Sequence, residues 1–271
     1  MSKWLKTAFL ALLLMAAGYF FGTVCKQVSQ AYTLIYSPSK ELLEPLLWSL
    51  LALCAVATTA GLVAALLRPT WVGIIAFVLS GLTMLQGWEM TTVSNILVLG
   101  YVLVGSFYVV GVARELNERI SFSVRPVSAG QSMLLMVLVL VACGSLYLGY
   151  ASYIEQEGFS IPEPYIEMLM EQMEKQIEER VPAEQREEMT AQFRKEFRRG
   201  IDEFFERTVK PYERFIPLAI AISLFMPLVT ITRLLAWVPF IILSVIFPLL
   251  TALRVTKVVS ETQEVQRLVI S

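Results

Sequence analysis

We expect an all-α fold, a polytopic transmembrane bundle of six to seven spans with an amphipathic helical hairpin inserted between spans 5 and 6. Three observations predict it. Apolar runs of membrane length recur along the 271 residues, a single charged segment at 155–214 interrupts them, and the composition is 56% hydrophobic but only 17% charged. Ordinary globular domains carry about a quarter charged residues, so the main solvent here is a bilayer. A helix advances about 1.5 Å per residue, and about 20 apolar residues cross the hydrocarbon.

The first run, 7–25, follows Lys3 and Lys6. A signal peptide has this order of charge and apolarity, with Ala16 to Gly18 as a small-residue cleavage site, but the run outlasts the usual signal core and is expected to stay as an anchor. Cys25 is preceded by Val24, a poor residue for lipoprotein processing. The next four spans are expected at 45–67, 71–87, 93–113 and 132–154, each bounded by charge or by an interfacial aromatic such as Trp71 or Trp88. Together residues 1–154 form spans 1–5.

Residues 155–214 hold 16 acids against 10 bases, a net of −6, and leave a net of +5 for the rest of the chain. Two blocks of helical periodicity make this loop a hairpin. Ile166, Leu169, Met170, Met173 and Ile177 recur at steps of three and four, and so do Met189, Phe193, Phe197, Ile201 and Phe204. Ser160 with Glu163 has capping-box spacing, Pro182 with Glu184 suits a first helical turn, and residues 181–183 are expected to be the bend. On the second helix Arg194, Lys195, Arg198 and Arg199 point away from the apolar stripe. Met189, Phe193, Phe197, Ile201 and Phe204 are therefore the candidate partner-binding residues.

The last apolar stretch, 215–253, would measure about 58 Å as one helix against a hydrocarbon core of about 30 Å. Arg233 and Trp237 near its middle read as an interfacial turn, which gives spans 6 and 7. Four prolines, Pro217, Pro227, Pro239 and Pro248, make a broken or re-entrant pair the alternative. The tail, 254–271, continues an amphipathic stripe that suits a membrane surface or a partner helix.

Arginine and lysine in the short loops set the orientation. An inside N-terminus places Lys3, Lys6, Arg68, Arg114, Arg119, Arg125 and Arg233 on the inner side, against Lys26 and Lys40 outside. We therefore expect an integral plasma (inner) membrane protein with a cytoplasmic N-terminus and an extracytoplasmic 155–214 loop.

Function is bounded mainly by exclusion. The chain has no histidine, and Asp202 is its one aspartate. Zinc sites of the HExxH type, histidine-based serine hydrolysis and two-aspartate chemistry all need residues this chain lacks. Cys25, Cys54 and Cys143 are too far apart for a metal or disulfide pattern. The glutamates of the loop recur at helical spacing and read as a solvated face. We expect no enzyme activity, no catalytic residues, no cofactor and no metal. An acidic loop gives no nucleic-acid footprint.

No span carries a central acid or base, which argues against ion-coupled transport. Small residues at steps of four, Gly18 with Gly22, Ala57 with Gly61, and Ser145 with Gly149, are expected to pack helices within the chain, with homo-oligomerisation as the alternative. The expected function is a non-catalytic scaffold or assembly subunit. Its partners would be the bilayer and another protein, met through the hairpin or the tail. The alternative is an uncoupled channel or solute facilitator.

Overall fold

The computed structural model describes residues 3–30, 43–118, 125–157 and 186–252, together with Ile166, Glu167 and Met170. All regular structure among them is helical. Five helices follow the first five apolar runs: α1 (Lys3–Gln30), α2 (Leu43–Leu66), α3 (Thr70–Gly87), α4 (Thr92–Glu118) and α5 (Arg125–Glu157). They outrun the apolar stretches because a helix, once nucleated, propagates through polar residues at small cost. α4 starts on a reciprocal cap in which the Thr91 amide donates to Ser94 Oγ at 2.8 Å and the Ser94 amide donates to Thr91 Oγ1 at 3.1 Å.

Beyond the charged segment the chain runs as α6 (Arg186–Phe204), a π-helical turn (Phe205–Val209), a 3-10 turn (Lys210–Phe215), α7 (Ile216–Leu235) and α8 (Trp237–Ala252). Pro211 accounts for the irregular turns, since it removes the donor its turn needs and forces the hydrogen bonds into a new register. Six helical runs are long and apolar enough to cross a membrane, and the sixth, Phe193–Ala252, includes α7 and α8 together. This is an integral membrane bundle.

The interfacial reversal expected around Arg233 and Trp237 does not form. Ala236 alone separates α7 from α8, its φ of −60° and ψ of −20° are right-handed helical, and its amide still reaches the Arg233 carbonyl at 3.3 Å. A hairpin between antiparallel helices needs residues that leave helical geometry, and there are none here. The break has a local cause. Pro239 cannot donate to the carbonyl four residues back, at Leu235, so the ladder is cut at that point without the chain turning round.

Packing centres on α1, which contacts α2, α3 and α5; α4 lies on α3 and α5, α7 on α5, and α8 on α2. α1 and α3 run parallel with their backbones nearly touching. A Cβ at Gly22 would collide with the Met84 carbonyl, and one at Gly87 would lie 2.6 Å from the Tyr19 carbonyl. At Gly149 the obstacle is the Ser29 backbone of α1. The glycine steps thus serve contacts within the chain, where close backbone approach yields the dispersion energy that apolar solvent cannot supply as a hydrophobic effect.

Hydroxyls bond across these seams. Ser80 Oγ donates to the Leu14 carbonyl at 3.1 Å, leaving Tyr101 to donate its phenolic proton to Ser80 at 3.1 Å; Thr83 Oγ1 reaches the Met15 carbonyl at 2.9 Å. Tyr108 spans α4 to α5, donating to the Val127 carbonyl at 2.9 Å.

The outside is apolar. Phe107, Met226, Ile96 and Val245 are each more than 60% exposed, an arrangement that suits acyl chains and would aggregate in water. Trp4 and Trp71 stand exposed at the end that carries Arg68, Arg114 and Arg125, and Trp48 and Tyr19 toward the other, as interfacial belts require.

The α1–α3 contact predicts a sharp contrast between two glycines. Gly22→Leu must push the backbones apart and should lower stability by at least about 1–3 kcal/mol. Gly100 has nothing within 4 Å of its missing Cβ, so Gly100→Leu should leave the unfolding midpoint in detergent unchanged. Equal midpoints for the two variants would contradict the close contact.

Candidate partner-binding face

The periodicity of the second hairpin block does produce a helix, α6, and four of the five predicted residues can be followed on it. Phe193, Phe197 and Ile201 are half-buried, while Phe204 is 57% exposed. Met189 lies within the helix, but its side chain is outside the described set. Phe193 and Phe197, one turn apart, stack with ring centroids 5.5 Å apart and planes inclined by 23°. Such a pair adds about 0.5–1.5 kcal/mol to the area it buries.

The back of α6 is charged and exposed. Arg199 Nε meets Glu203 Oε1 at 3.1 Å, an exposed one-turn pair that contributes only a few tenths of a kcal/mol. Lys210 extends the charged side with a looser pair to Glu206 at 3.8 Å. The first hairpin helix, expected to cover the apolar face, is described only at Ile166, Glu167 and Met170, all helical; the bend at 181–183 and the tail at 254–271 lie outside the described residues.

Among the described residues no group of three or more histidine, cysteine, aspartate or glutamate side chains comes together. The face can bury apolar area and stack rings.

Within the bundle several hydroxyls turn back on their own helices, whereas Ser80 crosses from α3 to α1. Thr58, Thr59 and Ser145 donate to the carbonyls of Cys54, Ala55 and Ala142 at 2.7, 2.9 and 2.7 Å, and Ser223 does the same with Ile220 at 2.8 Å. Gln131, which sequence reading passed over, is fully buried and donates Nε2 to the Ala57 carbonyl at 2.9 Å, joining α5 to α2; its Oε1 has no partner among the described residues. A half-open groove of about 270 Å³ lies between α5 and α7, lined by Ser132, Leu135, Met136, Val229, Thr232 and Arg233. Its walls are about 100 residues apart in sequence, and no motif marks them.

Compared with protein-family models, with curated proteins and with solved structures, the chain matches none.

Since the Phe197 ring is only half-buried, Phe197→Ala should cost α6 about 1 kcal/mol, well short of the 3–5 kcal/mol of a fully buried ring. Amide exchange of the full-length protein should show α6 protection falling roughly fivefold with α1 to α5 unchanged. A fall spread through the whole bundle would mean that the face is part of the core.

Proposed function

We propose that this protein is a non-catalytic membrane scaffold or assembly subunit, and that the Phe193, Phe197, Ile201 and Phe204 face of α6 binds another protein. One observation carries this reading. An incompletely covered aromatic face stands on a helix that continues through Pro211 into the membrane, while the bundle behind it is closely packed. Interfaces draw their energy from a few aromatic anchors of this kind.

The competing reading, an uncoupled channel or facilitator, needs polar groups that face a passage. The hydroxyls of the bundle instead face helix carbonyls, and the groove between α5 and α7 opens sideways between helices. Binding is favoured over catalysis because α6 presents rings backed by exposed ion pairs, and among its described side chains no nucleophile stands beside a base.

The arginine bias supports a cytoplasmic N-terminus with α6 on the opposite side. Lys195→Cys, on the exposed back of α6, should accept a membrane-impermeant thiol reagent in intact cells. Labelling confined to permeabilised cells would reverse the orientation.

Binding is tested by crosslinking and purification from native membranes in mild detergent. Phe193→Ser combined with Phe197→Ser should remove the retained partner, reducing recovery by about tenfold or more, as expected for loss of a two-ring anchor. Arg199→Ala on the back face should retain it. Equal recovery from all three proteins, or a solute flux through the reconstituted protein, would replace the scaffold reading.

A further inference from the structure

We infer that the groove between α5 and α7 is a binding site for one anionic phospholipid, with Arg233 holding the phosphate. Arg233 is the one charge between Arg214 and Arg254, in the middle of an otherwise apolar stretch. It is exposed at the groove and makes no ion pair among the described residues. Neither α7 nor α8 carries an acid, and those of α5, Glu155 and Glu157, lie at the opposite end of that helix. A guanidinium placed among apolar side chains without a carboxylate needs an anion or water from its surroundings.

Its position selects the anion. Trp237, 58% exposed and one turn beyond Arg233, is an amphipathic ring of the kind that favours headgroup depth. A long arginine side chain can extend along the apolar surface to the same depth, where phosphates are the abundant anions. The other groups of the groove match the rest of a lipid. Ser132 is exposed, and its hydroxyl holds the Ala129 carbonyl only loosely, at 3.3 Å, so it can turn to donate to a phosphate oxygen. Arg125 opens the same face of α5 two turns nearer the basic end, since seven residues bring a helix back to almost the same direction. A zwitterionic headgroup brings its own cation to the phosphate, so the guanidinium of Arg233 is better matched by a net-negative one. Leu135, Met136 and Val229 supply an apolar wall along which an acyl chain can lie, and Ser132, Met136 and Arg233 leave it exposed along one side.

Guanidinium and phosphate match in shape as well as charge, because two parallel N–H donors meet two oxygens. Lysine at the same place keeps the charge and loses that geometry. The site depends on α5 and α7 alone and is independent of whether α6 binds a partner.

The test uses the full-length protein in nanodiscs of phosphatidylcholine containing an equal share of phosphatidylglycerol, followed by native mass spectrometry of the lipid retained after release. The wild-type protein should keep one phosphatidylglycerol. Arg233→Gln should reduce its retention by about tenfold or more, the equivalent of one charge-assisted hydrogen bond, and Arg233→Lys should fall between. Met136→Trp, on an exposed position, blocks the groove while leaving Arg233 intact and should also reduce retention, so the answer does not rest on a charge variant alone. Millimolar inorganic phosphate should not displace the lipid. The inference fails if phosphatidylcholine is retained equally, if both Arg233→Gln and Met136→Trp keep phosphatidylglycerol, if free phosphate displaces it, or if the groove is occupied by a second copy of the chain in a dimer that Met136→Trp dissociates.

Discussion

Close contact between the backbones of α1 and α3 governs how the other helices can be placed. Lipid tails are as apolar as leucine, so a membrane bundle cannot be held by the hydrophobic effect that compacts a soluble domain. It depends on surfaces that fit. Gly18 and Gly22 remove side chains from one face of α1, and α3 fills the space with the Ser80 and Met84 backbone. That proximity brings Ser80 and Thr83 within reach of α1 carbonyls and sets Tyr101 of α4 on Ser80. α1 then offers its remaining faces to α2 and α5, and α7 and α8 are added on the far sides of those helices.

The interior therefore differs from that of a water-soluble protein in what its polar groups do. Hydroxyls either bond to the carbonyl one turn back, which conceals them, or cross a seam where the helices lie close. Gln131 is the exception, with one amide group bonded to Ala57 and the other oxygen unmatched among the described residues. A buried polar atom without a partner destabilises by about 1–3 kcal/mol, so this position works against the stability of the α2–α5 seam.

Much of the architecture was legible in the sequence. The five apolar runs of residues 1–154 became five helices, and α3 ended at Gly87 as expected, because apolar length against bilayer thickness is a strong constraint. The direction of the chain after Arg233 was not legible in the same way. Arginine and tryptophan mark headgroup depth but do not say whether the chain turns there, and Pro239 breaks the helix without reversing it. The α6 face could be read from its period because one helix contains all of it. The groove could not, since Ser132 and Arg233 meet only through the packing of α5 on α7.

The run from Arg186 to Ala252 is helical at every residue except Ala236 and has a contour of about 100 Å. Mechanically it is a lever with joints at the π and 3-10 turns beside Pro211 and at Ala236 before Pro239, and with further weak points at Pro227 and Pro248, which also lack a backbone donor. Helical segments resist bending, and deformation concentrates where backbone bonds are missing. Force applied to α6 would pivot α7 against α5, and the break at Ala236 would pass part of that rotation to α8 and its contact with α2. Under the proposed reading, the position of a protein bound to α6 would be registered as tilt among the helices of the bundle.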